Sequence, residues 1–273
     1  MPSIDSHLVR LRDVHLAFDD TPVLKGIDLD VGKGEAVSII GPSGSGKSTI
    51  LRCLTGLLKP QRGELTVAGT AVHELHGEAD YRQLRQRVGF VFQQYNLFPH
   101  LSVLDNLTLA PRKVLGMPAR QAQEQALALL AKVRMQHKAQ AFPGELSGGQ
   151  QQRIAIARAL AMQPELILFD EVTSALDPEM VGEVLNVIGE LTEEGMTCVL
   201  VTHEMRFAED ISDQVYFTEH GVIVEHGNAE RLFNQPTQAR TQAFLRHAGG
   251  ESARRRAPQG YVLRNLSPYH LSV

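Results

Sequence analysis

The sequence has few cysteines and lacks long apolar runs. Cys53 and Cys198 are the two cysteines among 273 residues, and they lie far apart with no C-x-x-C spacing. We therefore expect reduced, buried thiols in a cytosolic protein. Apolar runs such as residues 126–131 are far too short to cross a bilayer, and nothing in the sequence favours a secretory signal. If the protein works at a membrane, another chain must supply the membrane-spanning part.

An excess of either charge sign is also missing. The chain has 27 basic and 31 acidic residues, which gives a net charge of −4. DNA-binding domains usually carry a basic excess, so we expect no nucleic-acid partner. At this length the chain can bury one sizeable core, or one core and a smaller subdomain.

A glycine-rich stretch, Gly41-Pro-Ser-Gly-Ser-Gly-Lys-Ser48, matches the P-loop pattern G-x-x-x-x-G-K-[ST]. In that pattern glycines free backbone N–H groups to cradle phosphates. The apolar residues 36–40 predict a buried strand before it, and an apolar-striped helix that stops at Pro60 follows it. This context favours the P-loop over a glycine turn with an exposed lysine. The predicted nucleotide contacts are Gly41, Pro42, Ser43, Gly44, Ser45, Gly46, Lys47, Ser48 and Thr49, with Lys47 neutralising phosphate charge and Ser48 ligating Mg²⁺.

The flanking sequence predicts an α/β fold. Residues 8–18 and 23–31 alternate apolar and polar positions, which predicts a hairpin with its turn at residues 19–22. Residues 63–68 predict a third strand of this antiparallel layer. Residues 102–145 are rich in Ala, Gln and Leu at helical spacing, which predicts a helical insertion whose first helix begins at Ser102.

The sequence pattern of a parallel sheet, short apolar strands joined by a helix, returns after the insertion. Residues 166–169 and 197–202 predict buried strands with an amphipathic helix between them. Residues 214–225 predict a closing hairpin that turns at His220-Gly221.

The first of these two strands ends in a pair of carboxylates, Asp170-Glu171. In an α/β sheet, ligands bind at the carboxyl ends of the strands. We expect Asp170 to hold Mg²⁺ directly or through water, and Glu171 to orient the attacking water or accept its proton. Two acidic residues after a strand are also common in a solvated turn. Their pairing with a P-loop favours the catalytic interpretation.

A second candidate anion site lies at Ser147-Gly-Gly-Gln150. The S-x-x-Q spacing is that of a capping box, so Ser147 could simply cap the helix that follows. A helix N-terminus with unpaired N–H groups is also a binding site for anions. Local spacing alone does not separate the two interpretations.

Taken together, the P-loop, the Asp170-Glu171 strand end and Leu146-Ser-Gly-Gly-Gln150 resemble the ATP-binding cassette (ABC) ATPases. The resemblance implies a P-loop NTPase core with a parallel sheet, an N-terminal antiparallel β layer and an inserted α-helical subdomain. It implies ATP and Mg²⁺ as cofactors and a homodimer, in which Ser147 and Gly149 contact the γ-phosphate held by the opposite subunit. Gln150 belongs to the same signature.

Further positions follow the same family in order. Gln93 resembles the glutamine that senses Mg²⁺ and the attacking water, and His203 resembles the histidine that contacts the γ-phosphate. Asp177, in Ser174-Ala-Leu-Asp177, resembles a cross-subunit contact. The expected catalytic residues are thus Lys47, Gln93, Glu171 and His203, and the expected Mg²⁺ ligands are Ser48, Gln93 and Asp170. Phe18 falls where the family places an aromatic ring under adenine, but it could equally be a hydrophobic plug.

The resemblance is strongest to the polar amino acid importer branch of the family. Residues 95–106, which begin Tyr95-Asn-Leu-Phe98, carry much of it. In that branch they line a groove for a helix of the membrane permease, with Tyr95, Phe98 and Leu101 as apolar contacts. The implied partners are permease subunits and, indirectly, an extracytoplasmic solute-binding protein. The implied location is the cytoplasmic face of the inner membrane, as a peripheral subunit.

The resemblance covers residues 8–248, with the helical subdomain at about 102–160. We expect residues 249–273 to be a disordered tail. An exporter-type ATPase, for lipoproteins or drugs, is the alternative, since it would share every catalytic residue and differ at the groove. One departure from the family is Val172, which stands where proline is usual, so we expect a looser turn after Glu171 with intact chemistry.

Overall fold

The computed structural model describes residues 7–254, with side chains up to residue 248. The strands are β1 (His7–Phe18), β2 (Thr21–Gly32), β3 (Ala36–Ile40), β4 (Arg62–Val67), β5 (Thr70–Ala71), β6 (Val88–Val91), β7 (Leu166–Asp170), β8 (Thr197–Val201), β9 (Gln214–Glu219) and β10 (Val222–Asn228). The helices are α1 (Lys47–Leu54), α2 (Glu78–Arg87), α3 (Val103–Val114), α4 (Ala119–Lys132), α5 (Gly148–Leu160), α6 (Pro178–Glu193), α7 (Met205–Ile211), α8 (Ala229–Asn234) and α9 (Ala239–Arg254).

The predicted N-terminal antiparallel layer is confirmed. A 4-stranded sheet has the order β2-β1-β4-β5, and the hairpin between β1 and β2 pairs Phe18 with Thr21. The turn is therefore shorter than expected, because Thr21 and Pro22 already belong to β2. Proline is tolerated there because β2 is an edge strand of its sheet.

The predicted parallel core is a 6-stranded sheet with the order β10-β9-β3-β8-β7-β6. Strands β9, β3, β8, β7 and β6 are parallel, and β10 closes the edge antiparallel to β9. All residues of β3, β7 and β8 are buried, as expected for strands covered on both faces. The predicted closing hairpin is confirmed, and its first strand, β9, also extends the parallel sheet.

Alternate residues of the central strands face two different cores. Leu166 and Leu168 point to a first core, which contains α1 and the antiparallel sheet. Ile167 and Phe169 point to a second core, which contains residues of α3, α4, α5 and α6. A third, smaller core lies at the β9 end, where the rings of Phe217 and Phe244 stack with centroids 5.0 Å apart.

Helix α1 is shorter than the sequence predicted. Its apolar stripe continues to Pro60, but the helix ends at Leu54 because Gly56 adopts a φ of +65°. The N–H groups of Gly56 and Leu57 bond the carbonyls of Cys53 and Arg52, which is a Schellman termination.

The predicted helix start at Ser102 is confirmed. Its Oγ accepts the backbone N–H of Asp105 at 3.0 Å, and α3 begins at the next residue. The expected domain end at residue 248 falls within α9, which continues to Arg254. The rest of the expected tail, residues 255–273, lies outside the described residues. Among those described, no helix has the length and apolarity needed to span a membrane.

Candidate nucleotide-binding site

Strand order places the candidate residues at one edge of the parallel sheet. The P-loop follows β3, His203 follows β8, and Asp170 is the last residue of β7. These three strands are neighbours, and β7 and β8 are in register so that Asp170 pairs with Val201. The carboxyl ends of adjacent parallel strands therefore bring together side chains that are far apart in the sequence.

The P-loop runs from β3 into the first turn of α1. Gly44 has a φ of +77° and open space where a side chain would stand, so this exposed part of the loop can approach a ligand closely. Gly41 is required for a different reason, since a side chain there would overlap the carbonyl of Thr218. Pro42 is half-buried and Ser43 is exposed, while Thr49 is half-buried on α1.

Lys47 is the first residue of α1 and is only 4% exposed. Its Nζ donates to the carbonyls of Gly41 and Pro42 at 2.9 and 3.0 Å. Burial lowers the pKa of Lys47, and the nearby charges of Glu171 and Asp170 oppose that shift. The ammonium is thus held over the loop that would receive phosphates.

Ser48 and Asp170 are already paired, since the Ser48 Oγ donates to Oδ1 of Asp170 at 2.7 Å. Asp170 is 7% exposed, and burial raises its pKa while the Ser48 hydrogen bond opposes the shift. Two oxygen donors at this spacing are a donor set that suits Mg²⁺. The residues present therefore fit the expected metal.

Glu171 contacts His203 across the ends of β7 and β8. The His203 Nε2 lies 3.1 Å from Oε1 of Glu171, and the His203 side chain is 45% exposed. The hydrogen bond from His203 is the main cause of a lowered pKa at Glu171, which keeps its carboxylate ionised. Glu171 also has a φ of +48°, an uncommon conformation for a residue other than glycine, and its N–H bonds the Val201 carbonyl.

The turn after Glu171 carries the unusual valine. Val172 is 6% exposed and packs into the second core. The N–H and the Oγ of Ser174 both donate to the Glu171 carbonyl, the latter at 2.7 Å. These bonds close the turn. The effect of Val172 on turnover stays a prediction.

The capping box at the start of α5 is confirmed. Ser147 Oγ accepts the N–H of Gln150 at 3.4 Å, and Gln150 Oε1 accepts the N–H of Ser147 at 3.1 Å. Gly149 has a packing role within the chain, because a Cβ there would lie 2.9 Å from the Cβ of Met180 on α6. In the part of the chain that the structure describes, no hydrogen bond or ion pair joins residues 147–150 to the P-loop.

Within the described residues, no hydrogen bond or ion pair joins the remaining candidates to this cluster. Gln93 is exposed in the loop after β6, and Asp177 is exposed at the N-cap of α6. Phe18 ends β1 and is 47% exposed, so the alternative that it plugs a core is wrong.

Sequence analysis missed one residue that holds the P-loop. Thr218 on β9 is fully buried, and its Oγ1 lies 2.9 Å from the Oγ of Ser45 and donates to the carbonyl of Ile40. Only the pairing of β9 with β3 brings Thr218 to this position. No local pattern in the sequence signals that pairing.

Comparisons with known proteins agree with this geometry. Residues 24–174 match the ABC transporter family. The chain is 50% identical over 238 residues to the glutamine transport ATP-binding protein GlnQ of Geobacillus stearothermophilus, covering 87% of this chain and 98% of that protein. It is 48% identical over 240 residues to the L-cystine import ATP-binding protein TcyC of Bacillus subtilis, covering 87% and 97%.

A solved structure of the ATP-binding cassette MJ0796, a dimer in a post-hydrolysis state bound to ADP and Pi, superposes with a TM-score of 0.72. That protein is 35% identical to this chain, and the match covers 81% of this chain and 99% of that one. The chain therefore belongs to the ABC transporter family, as an ATP-binding and ATP-hydrolysing cassette.

Proposed function

We propose that this chain energises the uptake of a polar amino acid, or a related small solute, through a separate membrane permease. One observation carries the proposal: about half of the residues are identical to those of GlnQ and TcyC over nearly the full length of those proteins. Their names specify glutamine transport and L-cystine import. An exporter ATPase would share the catalytic residues, but these relatives favour import. The proposed location is the cytoplasmic face of the membrane, where a permease would hold it as a peripheral subunit.

The proposed chemistry is attack of water on the γ-phosphorus of ATP, in which a bond from the water oxygen forms, the bond to the bridging oxygen breaks, and inorganic phosphate and ADP are the products. Glu171 orients the water and accepts its proton, and the His203 contact keeps Glu171 ionised for that role. Lys47 and the P-loop N–H groups stabilise charge that develops on the phosphate oxygens. Ser48 and Asp170 would hold Mg²⁺, which when bound neutralises phosphate charge.

The proposed active unit is a homodimer in which two half-sites face each other. Each chain offers a P-loop half and a signature half, the latter comprising Ser147, Gly149 and Gln150. The dimeric, product-bound structure of MJ0796 supports this arrangement. Gln93 as a sensor and third Mg²⁺ ligand, Asp177 as a cross-subunit contact and Phe18 as an adenine platform complete the proposed site.

Reconstitution in proteoliposomes tests the function. The chain is assembled with a candidate permease and its solute-binding protein. ATP turnover is then measured with glutamine, cystine or arginine on the side of the membrane opposite the ATPase. We expect turnover to rise several-fold only when solute-loaded binding protein is present. Turnover stimulated by a permease without any binding protein would favour the exporter alternative instead.

A further inference from the structure

Arg158 lies near the end of α5 and contacts a loop that follows β6, residues 92–98, which we name the 92–98 loop. Its Nη1 donates to the carbonyl of Asn96 at 2.6 Å, and its Nη2 donates to that of Tyr95 at 3.4 Å. Its guanidinium carbon lies 5.8 Å from the centroid of the Phe98 ring, within the range of a cation–π contact. One side chain thus contacts three residues of the loop, Tyr95, Asn96 and Phe98.

The guanidinium has no carboxylate partner among the residues that the structure describes. Partial burial lowers the pKa of Arg158. Arg158 is half-buried, so holding its guanidinium against neutral carbonyls costs part of its hydration, a cost that an apolar side chain of similar length would not incur. Fixing the path of the loop is a function that an apolar residue could not perform.

Two more contacts join the same loop to α5 closer to its N-terminus. Gln152 is fully buried and its Nε2 donates to the carbonyl of Phe92 at 3.2 Å. At Gly148, a Cβ would lie 2.5 Å from the hydroxyl oxygen of Tyr95. Tyr95 therefore rests on the first residue of α5, directly after Ser147, instead of serving only as an apolar surface for a partner.

We propose that Arg158 is a positioning residue that locks the 92–98 loop onto α5, so that a displacement of the loop is passed along the helix to Ser147. The loop carries Gln93 at one end and the half-exposed Phe98 at the other. The attachment of the 92–98 loop to α5, which we call the local link, is argued from the contacts above. The effect of that attachment on transport rests on the proposed function.

The local link can be measured on the full chain without a permease. The sequence contains no tryptophan, so Phe98→Trp introduces a single indole whose nanosecond mobility is read by time-resolved fluorescence anisotropy. We expect Arg158→Met to raise the amplitude of the fast decay at least about twofold, because both carbonyl bonds are lost. Arg158→Lys should give an intermediate value, since an ammonium can keep one of them.

Arg120→Met is the matched control, because Arg120 on α4 is 92% exposed and its one ion-pair partner among the residues described is Glu124, one turn away. It should leave the anisotropy unchanged. An unchanged decay in Arg158→Met, with native circular dichroism, would overturn the proposal. If that variant does not fold, the Arg158→Lys value decides in its place.

Transmission to the ATP site is read in the proteoliposome assay, without the Phe98→Trp change. Arg158→Met should keep the unstimulated kcat and KM for ATP within about twofold of the parent. The increase in ATP turnover that solute-loaded binding protein causes should be at least about fivefold smaller than in the parent, and partly restored in Arg158→Lys. Full stimulation in both variants would refute the transmission. A parent chain that no permease stimulates would count against the proposed function, while the anisotropy result would still decide the link.

Discussion

The P-loop half and the signature half of the proposed site are built in different ways. In the P-loop half, polar side chains from α1, the end of β7 and the segments after β7 and β8 already bond one another, as in the pairs Ser48–Asp170 and Glu171–His203. In the signature half, the hydrogen bonds that the side chains of Ser147 and Gln150 make to described residues are those to each other's backbone. Sheet topology assembles the first half within one chain. The second is a capped helix end, and within the described part of the chain the N–H groups of Gly148 and Gly149 donate to no protein acceptor, so they can meet a ligand brought by a partner.

This difference predicts different consequences of substitution. Changes in the P-loop half should abolish steps that one chain performs, whereas changes in the signature half should be rescued by an intact partner.

Glu171→Gln should produce the largest effect. The amide oxygen can still accept from His203, so the geometry is kept while the base is lost. We expect ATP binding and a stable dimer by light scattering, with turnover lower by about 10²- to 10⁴-fold. Glu124→Gln, on the exposed face of α4, should have no effect. Hydrolysis at the parent rate would remove Glu171 from the catalytic role.

Ser147→Arg should lower turnover by about a hundredfold or more, since it blocks donors that would stabilise phosphate charge. The comparison is sharpest when this variant is mixed with Lys47→Ala, which damages only the P-loop half. A mixed dimer has one composite site with both lesions and one with neither. Mixing two inactive chains should therefore restore activity, up to roughly a quarter of the parent rate by random pairing into symmetric dimers.

Absence of rescue, with dimers present by light scattering, would argue that each chain contains a complete site. A monomer that turns over at the full parent rate would lead to the same conclusion.

The two halves also differ in how far the sequence predicts them. The P-loop, the strand end at Asp170 and the cap at Ser147 are contiguous patterns, and each was placed on its element correctly. The Glu171–His203 contact and the role of Thr218 depend on which strands are neighbours. Strand order is a long-range property that no local period encodes. The early end of α1 was missed for a local reason, because the apolar stripe outweighed the stop signal of Gly56.

Substitution of His203 should produce a smaller effect, visible in the pH profile. The hydrogen bond and charge of His203 lower the pKa of Glu171, and burial opposes them. Removing His203 therefore raises that pKa, so Glu171 becomes protonated at a higher pH than in the parent. The acid limb of kcat/KM should shift to higher pH in His203→Ala, and less in His203→Gln, whose amide can still donate. A limb that does not move would mean that His203 does not tune the base.

Val172→Pro should have the smallest effect. The Ser174 bonds to the Glu171 carbonyl close the turn without needing a proline, and in the part of the chain described by the structure the Val172 N–H donates to no protein acceptor. Proline would therefore remove no protein hydrogen bond and would fix one dihedral. We expect steady-state ATP turnover to change by less than about tenfold, or about 1.4 kcal/mol in the barrier. Val172→Ala is the control for lost packing in the second core, since it leaves the backbone free. A change of more than about tenfold in Val172→Pro, without a similar change in Val172→Ala, would show that backbone freedom next to Glu171, and not burial, sets the rate.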